Sequence, residues 1–246
     1  MTTSAVPMPA SRPLPGRRYD RVFFPIFTAL FLITVLIGFS RTYYAAGLIH
    51  APLPNRLIHI HAIVFSSWLL MLIAQTGLVS ARRVDIHKKL GILGFGIASL
   101  MVILGLLASR DSMLRGFAPP GLTPQIFFVV PVTDMFVFAT LIYFAWALRS
   151  NSAAHKRLIM IANIGIIDAA VDRWPFAFIQ HGSPQYANLC IDAFLLLIIA
   201  YDLWSTHKVH RATIWGGLLV LIVQQLRIPL AFTAPWQHFA NTVLGK

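Results

Sequence analysis

The sequence predicts an all-α polytopic membrane protein with seven transmembrane helices, its N-terminus inside and its C-terminus outside. Three observations carry that prediction. Of 246 residues, 57% are hydrophobic and 11% are charged, against roughly 25% charged in an ordinary soluble domain. The chain has too few polar groups to cover a water-facing surface. Its apolar residues fall into seven runs, and the basic residues between those runs gather in alternate connections.

Residues 1–21 are rich in proline and arginine without apolar periodicity, and are expected to form a disordered cytoplasmic tail. The transmembrane domain is expected over 22–234, and a short tail on the far side over 235–246. The runs are 22–44, 57–80, 90–108, 125–148, 158–178, 186–204 and 212–232. Each has about the 20 residues that an α-helix needs to cross roughly 30 Å of hydrocarbon. No run alternates apolar and polar residues, so strands do not compete.

Orientation follows from the bases. Arg12, Arg17, Arg18 and Arg21 precede the first run, and Arg82, Arg83, Lys88 and Lys89 separate the second from the third. Arg149, Lys156 and Arg157 join the fourth to the fifth, while Lys208 and Arg211 join the sixth to the seventh. That places thirteen of the 20 bases on one side, and the richer side is cytoplasmic by the positive-inside rule. After the first helix, three hairpins turn at His87-Lys88-Lys89, His155-Lys156-Arg157 and His210-Arg211, which reads as a repeated unit. Gly91, Gly94, Ala98, Gly216 and Gly217 would allow close helix packing.

An ionisable side chain inside a span is costly and is a functional candidate by default. Asp134 stands ten residues into the fourth run, roughly 15 Å deep at 1.5 Å per residue. Asp168, Asp172, Arg173, Asp192, Gln224 and Arg227 all fall in the outer half of their runs, and His59 and His61 lie near the outer end of the second. The inner half is expected to hold almost no polar groups. His61, Trp68 and Gln75 share a face by their spacing of seven, so His61 is the histidine expected to point inward.

Two readings of this outer set remain open. The acids and arginines form structural ion pairs, or His61, Asp134, Asp168 and Asp192 bind zinc or another divalent cation. A small polar ligand held by Asp134, Asp168, Asp172, Asp192, Gln224, Arg173 and Arg227 belongs to the second reading. A membrane-embedded metal-dependent hydrolase is a further alternative. His87, His155 and His210 are level with one another and suit headgroup anchoring or, alternatively, axial ligation of haem b.

Some classes are excluded. All five lysines, Lys88, Lys89, Lys156, Lys208 and Lys246, lie at turns or the terminus, so no retinal Schiff base can form within a span. No Walker A, G-x-S-x-G or dinucleotide fingerprint occurs. The excess of bases orients the chain in the bilayer and forms no nucleic-acid-binding stripe.

The stretches His59-Ile-His61…Trp68…Gln75…Arg83-Val-Asp85-Ile-His87-Lys88-Lys89-Leu90-Gly91 and His155-Lys156-Arg157-Leu158…Asp172-Arg173-Trp174-Pro175 resemble uncharacterised bacterial multi-span membrane proteins. Their hairpins read H…W…Q…R-x-D-x-H-R-R-L-G and H-K-R-L-M…R. The resemblance covers 57–175 and, less closely, 192–217. It implies a multi-pass protein of the bacterial inner membrane. More distantly the hairpins look like those of transmembrane b-type cytochromes and cytochrome c oxidase assembly factors, which implies haem or copper handling.

Overall fold

The computed structural model describes residues 16–49, 55–119, 121–182 and 185–245. The chain is helical, without a strand among these residues. α1 spans Gly16–Phe39 and runs on through a π-helical turn, Ser40–Tyr44, into a 3-10 turn, Ala46–Ile49. Then follow α2 (Arg56–Ser80), α3 (Val84–Leu114), α4 (Pro124–Phe127), α5 (Val129–Ala147) and α6 (Ser152–Ile164). The remaining helices are α7 (Asp168–Val171), α8 (Ala177–Gln180), α9 (Gln185–Thr206), α10 (Arg211–Ala231) and α11 (Ala234–Val243).

The start signals are chemical and local. Asn55, Thr123, Asn151 and Thr233 each accept the backbone N–H three residues on, at 3.0, 3.3, 3.2 and 3.4 Å, satisfying donors that the first helical turn leaves free. Pro124 and Pro235 lie in the first turns of α4 and α11, where no intrahelical N–H is needed.

Among the described residues, six helices are long and apolar enough to cross a membrane: Tyr19–Tyr44, Arg56–Ser80, Val84–Leu114, Pro124–Ala147, Gln185–Thr206 and Arg211–Ala231. Their outer faces are aliphatic. Ile63, Leu70, Ile92 and Leu196 are each more than 60% exposed, an apolar exterior consistent with association with a lipid bilayer. The six match six of the seven apolar runs.

The fifth run, 158–178, forms no continuous span. It breaks after α6, a helix of 13 residues, about 20 Å long and short of the hydrocarbon thickness. At the break Ile166 and Ile167 donate to the carbonyls three residues back, of Asn163 at 3.2 Å and Ile164 at 3.4 Å. The Asp168 carboxylate then takes the Ala169 N–H at 2.7 Å. A helix-competing side chain of this kind offers the backbone another partner, and hydropathy alone does not register it. Every residue from Arg157 to Ile164 is buried, so α6 is the centre of the bundle, packed against α5, α9 and α10.

Two further expectations shift. Residues 16–21 of the expected tail are the first turns of α1, while residues 1–15 lie outside those described. In the expected far-side tail, α11 packs Trp236 and Ala240 against Phe128 and Val129, and Trp236 donates its indole N–H to the Gln125 carbonyl at 2.9 Å.

The ends that the sequence predicts to share a side do meet. The Ser80 hydroxyl donates to the Arg21 carbonyl at 2.9 Å, and Lys156 pairs with Asp20 at 2.5 Å. Tyr201 donates its hydroxyl to the same Asp20 carboxylate. The rings of His87 and His155 lie 6.3 Å apart. This is the basic end of the bundle. Close approach at the other end comes from Gly38, where a Cβ would collide with the backbone carbonyl of Ala170.

Candidate functional site

At the end opposite the bases, three elements deliver one ion cluster. Arg227 on α10 donates from a single guanidinium nitrogen, Nη1, to Asp168 Oδ2 at 2.8 Å and to Asp134 Oδ1 at 3.2 Å. Asp168 opens α7 just past the break, and Asp134 lies on α5. Both acids are buried, at 5% and 8% exposed. Beside them is a void of about 20 Å³ lined by Gly165, Ile191 and Gln224. Gln224, one turn before Arg227, is 9% exposed and has neither amide atom paired. A void of that size holds one water molecule.

On the other side of the two acids lies a much larger cavity, about 440 Å³. Its walls come from α1, the π-helical turn, α2, α3, α4, α5 and the α6–α7 break. Most are apolar or aromatic: Phe31, Phe39, Phe65, Trp68 and Met101 among them. Polar residues are the minority of the lining and come from several elements. Asp134, Asp168, Asp172 and Arg173 edge it, with His61 across from α2. The Asp172 carboxylate makes no hydrogen bond or ion pair with the described residues, although the Asp172 carbonyl accepts from Gln180 Nε2 at 3.4 Å. Arg173 donates to the Ala169 carbonyl at 2.5 Å and holds its guanidinium 5.0 Å from the Phe39 ring centroid.

The remaining wall groups are fixed by their own bonds. Trp68 donates to Asn163 Oδ1 at 2.8 Å, and Asn163 donates to the Ile159 carbonyl at 2.7 Å. At the rim, Tyr43 meets His59 Nδ1 at 3.2 Å and Tyr44 meets Ser66 at 2.9 Å. Arg115 at the rim is paired with Asp111 at 2.9 Å. His61 stacks on Phe65 with ring centroids 4.0 Å apart, and its buried Nδ1 has no partner.

The expected metal ligands therefore part company. Asp134 and Asp168 meet, but on Arg227. His61 stands on the α2 wall, and Asp192 on α9 lines neither cavity. Among the described residues no three His, Cys, Asp or Glu side chains meet as a metal site. Of the candidate haem ligands, His87 and His155 are neighbours with perpendicular rings. His155 Nδ1 is bonded to the Ala145 carbonyl at 2.8 Å. His210 does not join them. Its Nδ1 accepts the Ala212 N–H at 3.1 Å and caps α10. Burial, helped by the Arg157 charge and opposed by Asp202, holds its imidazole below the ordinary 6.5, which keeps that nitrogen free to accept.

The inner half is not empty of polar groups, contrary to the sequence expectation. Arg157 on α6 donates Nε and Nη2 to Asp202 Oδ1 on α9, at 2.8 and 2.5 Å. The other oxygen accepts the His210 N–H at 3.0 Å and the Thr213 hydroxyl at 2.6 Å. Asp202 is fully buried, and this node ties three helices together at the basic end. The signal was an aspartate two residues before the end of the sixth run. Arg157 reads as a turn base because its run of buried neighbours begins only at Leu158.

Comparison with known proteins finds no matching family model, no matching characterised protein and no matching solved structure. What defines the chain is thus its own architecture: among the described residues, six helices long and apolar enough to cross a membrane, and a cavity beside a broken helix.

Proposed function

We propose that this protein is a membrane receptor or carrier for a small amphipathic molecule, held in the large cavity. The apolar body of the ligand lies between Phe31, Phe65, Trp68 and Met101, and its polar head meets Asp134, Asp168, Asp172 and Arg173. In this reading the basic end faces the cytoplasm, the six spans and the broken element make seven passes, and the cavity opens on the opposite side.

The observation that carries the proposal is the cavity itself. Its volume of about 440 Å³ falls within the roughly 300–1,000 Å³ of small-molecule sites. Its lining follows the pattern of such sites, apolar over most of its area with a minority of polar groups, the acids Asp134, Asp168 and Asp172 among them. A broken helix beside it fits, because irregular backbone at membrane depth is tolerated where it lines a cavity.

Three probes share one body and differ in the head: 4-phenylbutylamine, 4-phenylbutan-1-ol and 4-phenylbutyrate. Native mass spectrometry of the detergent-solubilised protein should show saturable binding of at least one, at one molecule per chain. Ser112→Trp, which fills the cavity from its wall, should abolish it. Binding of none, or binding that survives the filled cavity, would overturn the proposal.

A further inference from the structure

We infer that the cavity selects a ligand with a single positive charge; this inference rests on the ligand reading above. Discrimination cannot come from the apolar body. Lipid is as apolar as the cavity wall, so the hydrophobic term does not separate a bound molecule from one dissolved in the bilayer. The head must supply the difference.

The charges around the cavity decide its sign. Asp134 (α5), Asp168 (α7) and Asp172 (just after it) bring three carboxylates. Facing them are two guanidiniums, Arg227 from α10 and Arg173 beside Asp172. Arg115 at the rim is neutralised by Asp111. His61 on α2 is counted neutral, as in the formal charge at pH 7. By formal count one negative charge is left over, and Asp172, exposed at the edge, is the carboxylate with no cation bonded to it among the described residues.

Three observations point to a ligand as the partner rather than to another side chain. The Asp172 carboxylate has no bonded partner among the described residues, and Asp172 lines the cavity. Gln224, nine-tenths buried behind the two acids, has both amide atoms unpaired in a void that it shares with them. The acids are thus backed by an open hydrogen-bonding group. The aromatic walls add to this, since Phe39 already takes a guanidinium at 5.0 Å, and such faces attract cations. The geometry is that of an anionic edge on an aromatic box, which accepts a primary or substituted ammonium on an apolar stem.

The three phenylbutyl probes test this separately from the cavity itself. Equilibrium dialysis against the protein in nanodiscs should rank 4-phenylbutylamine at least tenfold above 4-phenylbutan-1-ol, with 4-phenylbutyrate weakest. Asp172→Asn removes the carboxylate that has no bonded partner among the described residues, and the uncharged alcohol serves as the internal reference for it. The substitution should cut the preference for the amine over the alcohol by about tenfold. Equal binding of amine and alcohol, or a preference for the carboxylate, would overturn the charge selection while leaving the cavity as a ligand site. Failure of all three probes would overturn both. An amine preference unchanged in Asp172→Asn and in Asp134→Asn would overturn the assignment of the charge to this edge.

Discussion

Asp202 and Arg157 are the residues on which the fold depends most sharply. Each is buried, and each satisfies the other through two hydrogen bonds. A buried pair need not stabilise relative to apolar residues, but a half-pair is costly, because it leaves a charge without a partner. Asp202→Ala should therefore lower stability by about 3–5 kcal/mol. Arg157→Met with Asp202→Leu should recover much of that, as contacting residues are not additive. Thermal melts of the single and double variants in detergent measure the coupling, and an additive loss would show that the pair is not the source. The acids of the outer cluster were legible in the sequence because an ionisable group within an apolar run is conspicuous. Their pairing was not. One arginine shared by acids from two other elements is a tertiary fact, and no spacing within a helix encodes it. Asp202 escaped notice for a different reason: it stands near a run's end, where a charge reads as interfacial.

The element that sets the site is the interrupted helix. Hydropathy over 158–178 is that of a span, so the sequence reads one there, and the boundaries of the other six runs agree with the structure to within a few residues apart from a longer α3 and an earlier start of α1. What ends α6 is local. Gly165 sits where a Cβ would come within 2.7 Å of Val137 Cγ1, a distance that forces α5 or the break to move. The φ of −65° at Gly165 is one that any residue adopts, so it is packing that requires the glycine. Gly165→Ala should cost about 1–3 kcal/mol through overpacking. Val137→Ala removes the obstructing methyl, so the double variant should be more stable than the sum of the two singles implies. Loss of stability in Gly165→Ala that Val137→Ala leaves wholly unrelieved would show that the Val137 contact is not what the glycine avoids. The consequence for function is direct. The break ends the helical ladder beside Asp168 and places its carboxylate on Arg227, at the boundary between the small void and the large cavity.

At the scale of the whole molecule, the protein is built with apolar surface outward and its ionisable groups inward at two levels. At the basic end they form closed pairs, Arg157 with Asp202 and Lys156 with Asp20. At the other end the set is open, with a cavity beside it and a carboxylate to spare. Composition and charge bias made the membrane architecture legible, because both are sums over the chain. The cavity was not, since it is the space left where five helices and a break fail to close, and only packing determines that. Cysteine accessibility tests the account most directly. In a Cys190→Ser background, Ala108→Cys lies on the cavity wall, and Leu107→Cys, next to it on α3, is 46% exposed on the outer surface of the bundle. Trimethylammonioethyl methanethiosulfonate, which does not cross membranes, is added to intact cells expressing each variant. The account predicts that Ala108→Cys is modified, that Leu107→Cys is not, and that saturating 4-phenylbutylamine slows the first reaction at least fivefold. Modification of Ala108→Cys only from the cytoplasmic face, or at a rate that none of the three phenylbutyl probes alters, would contradict it.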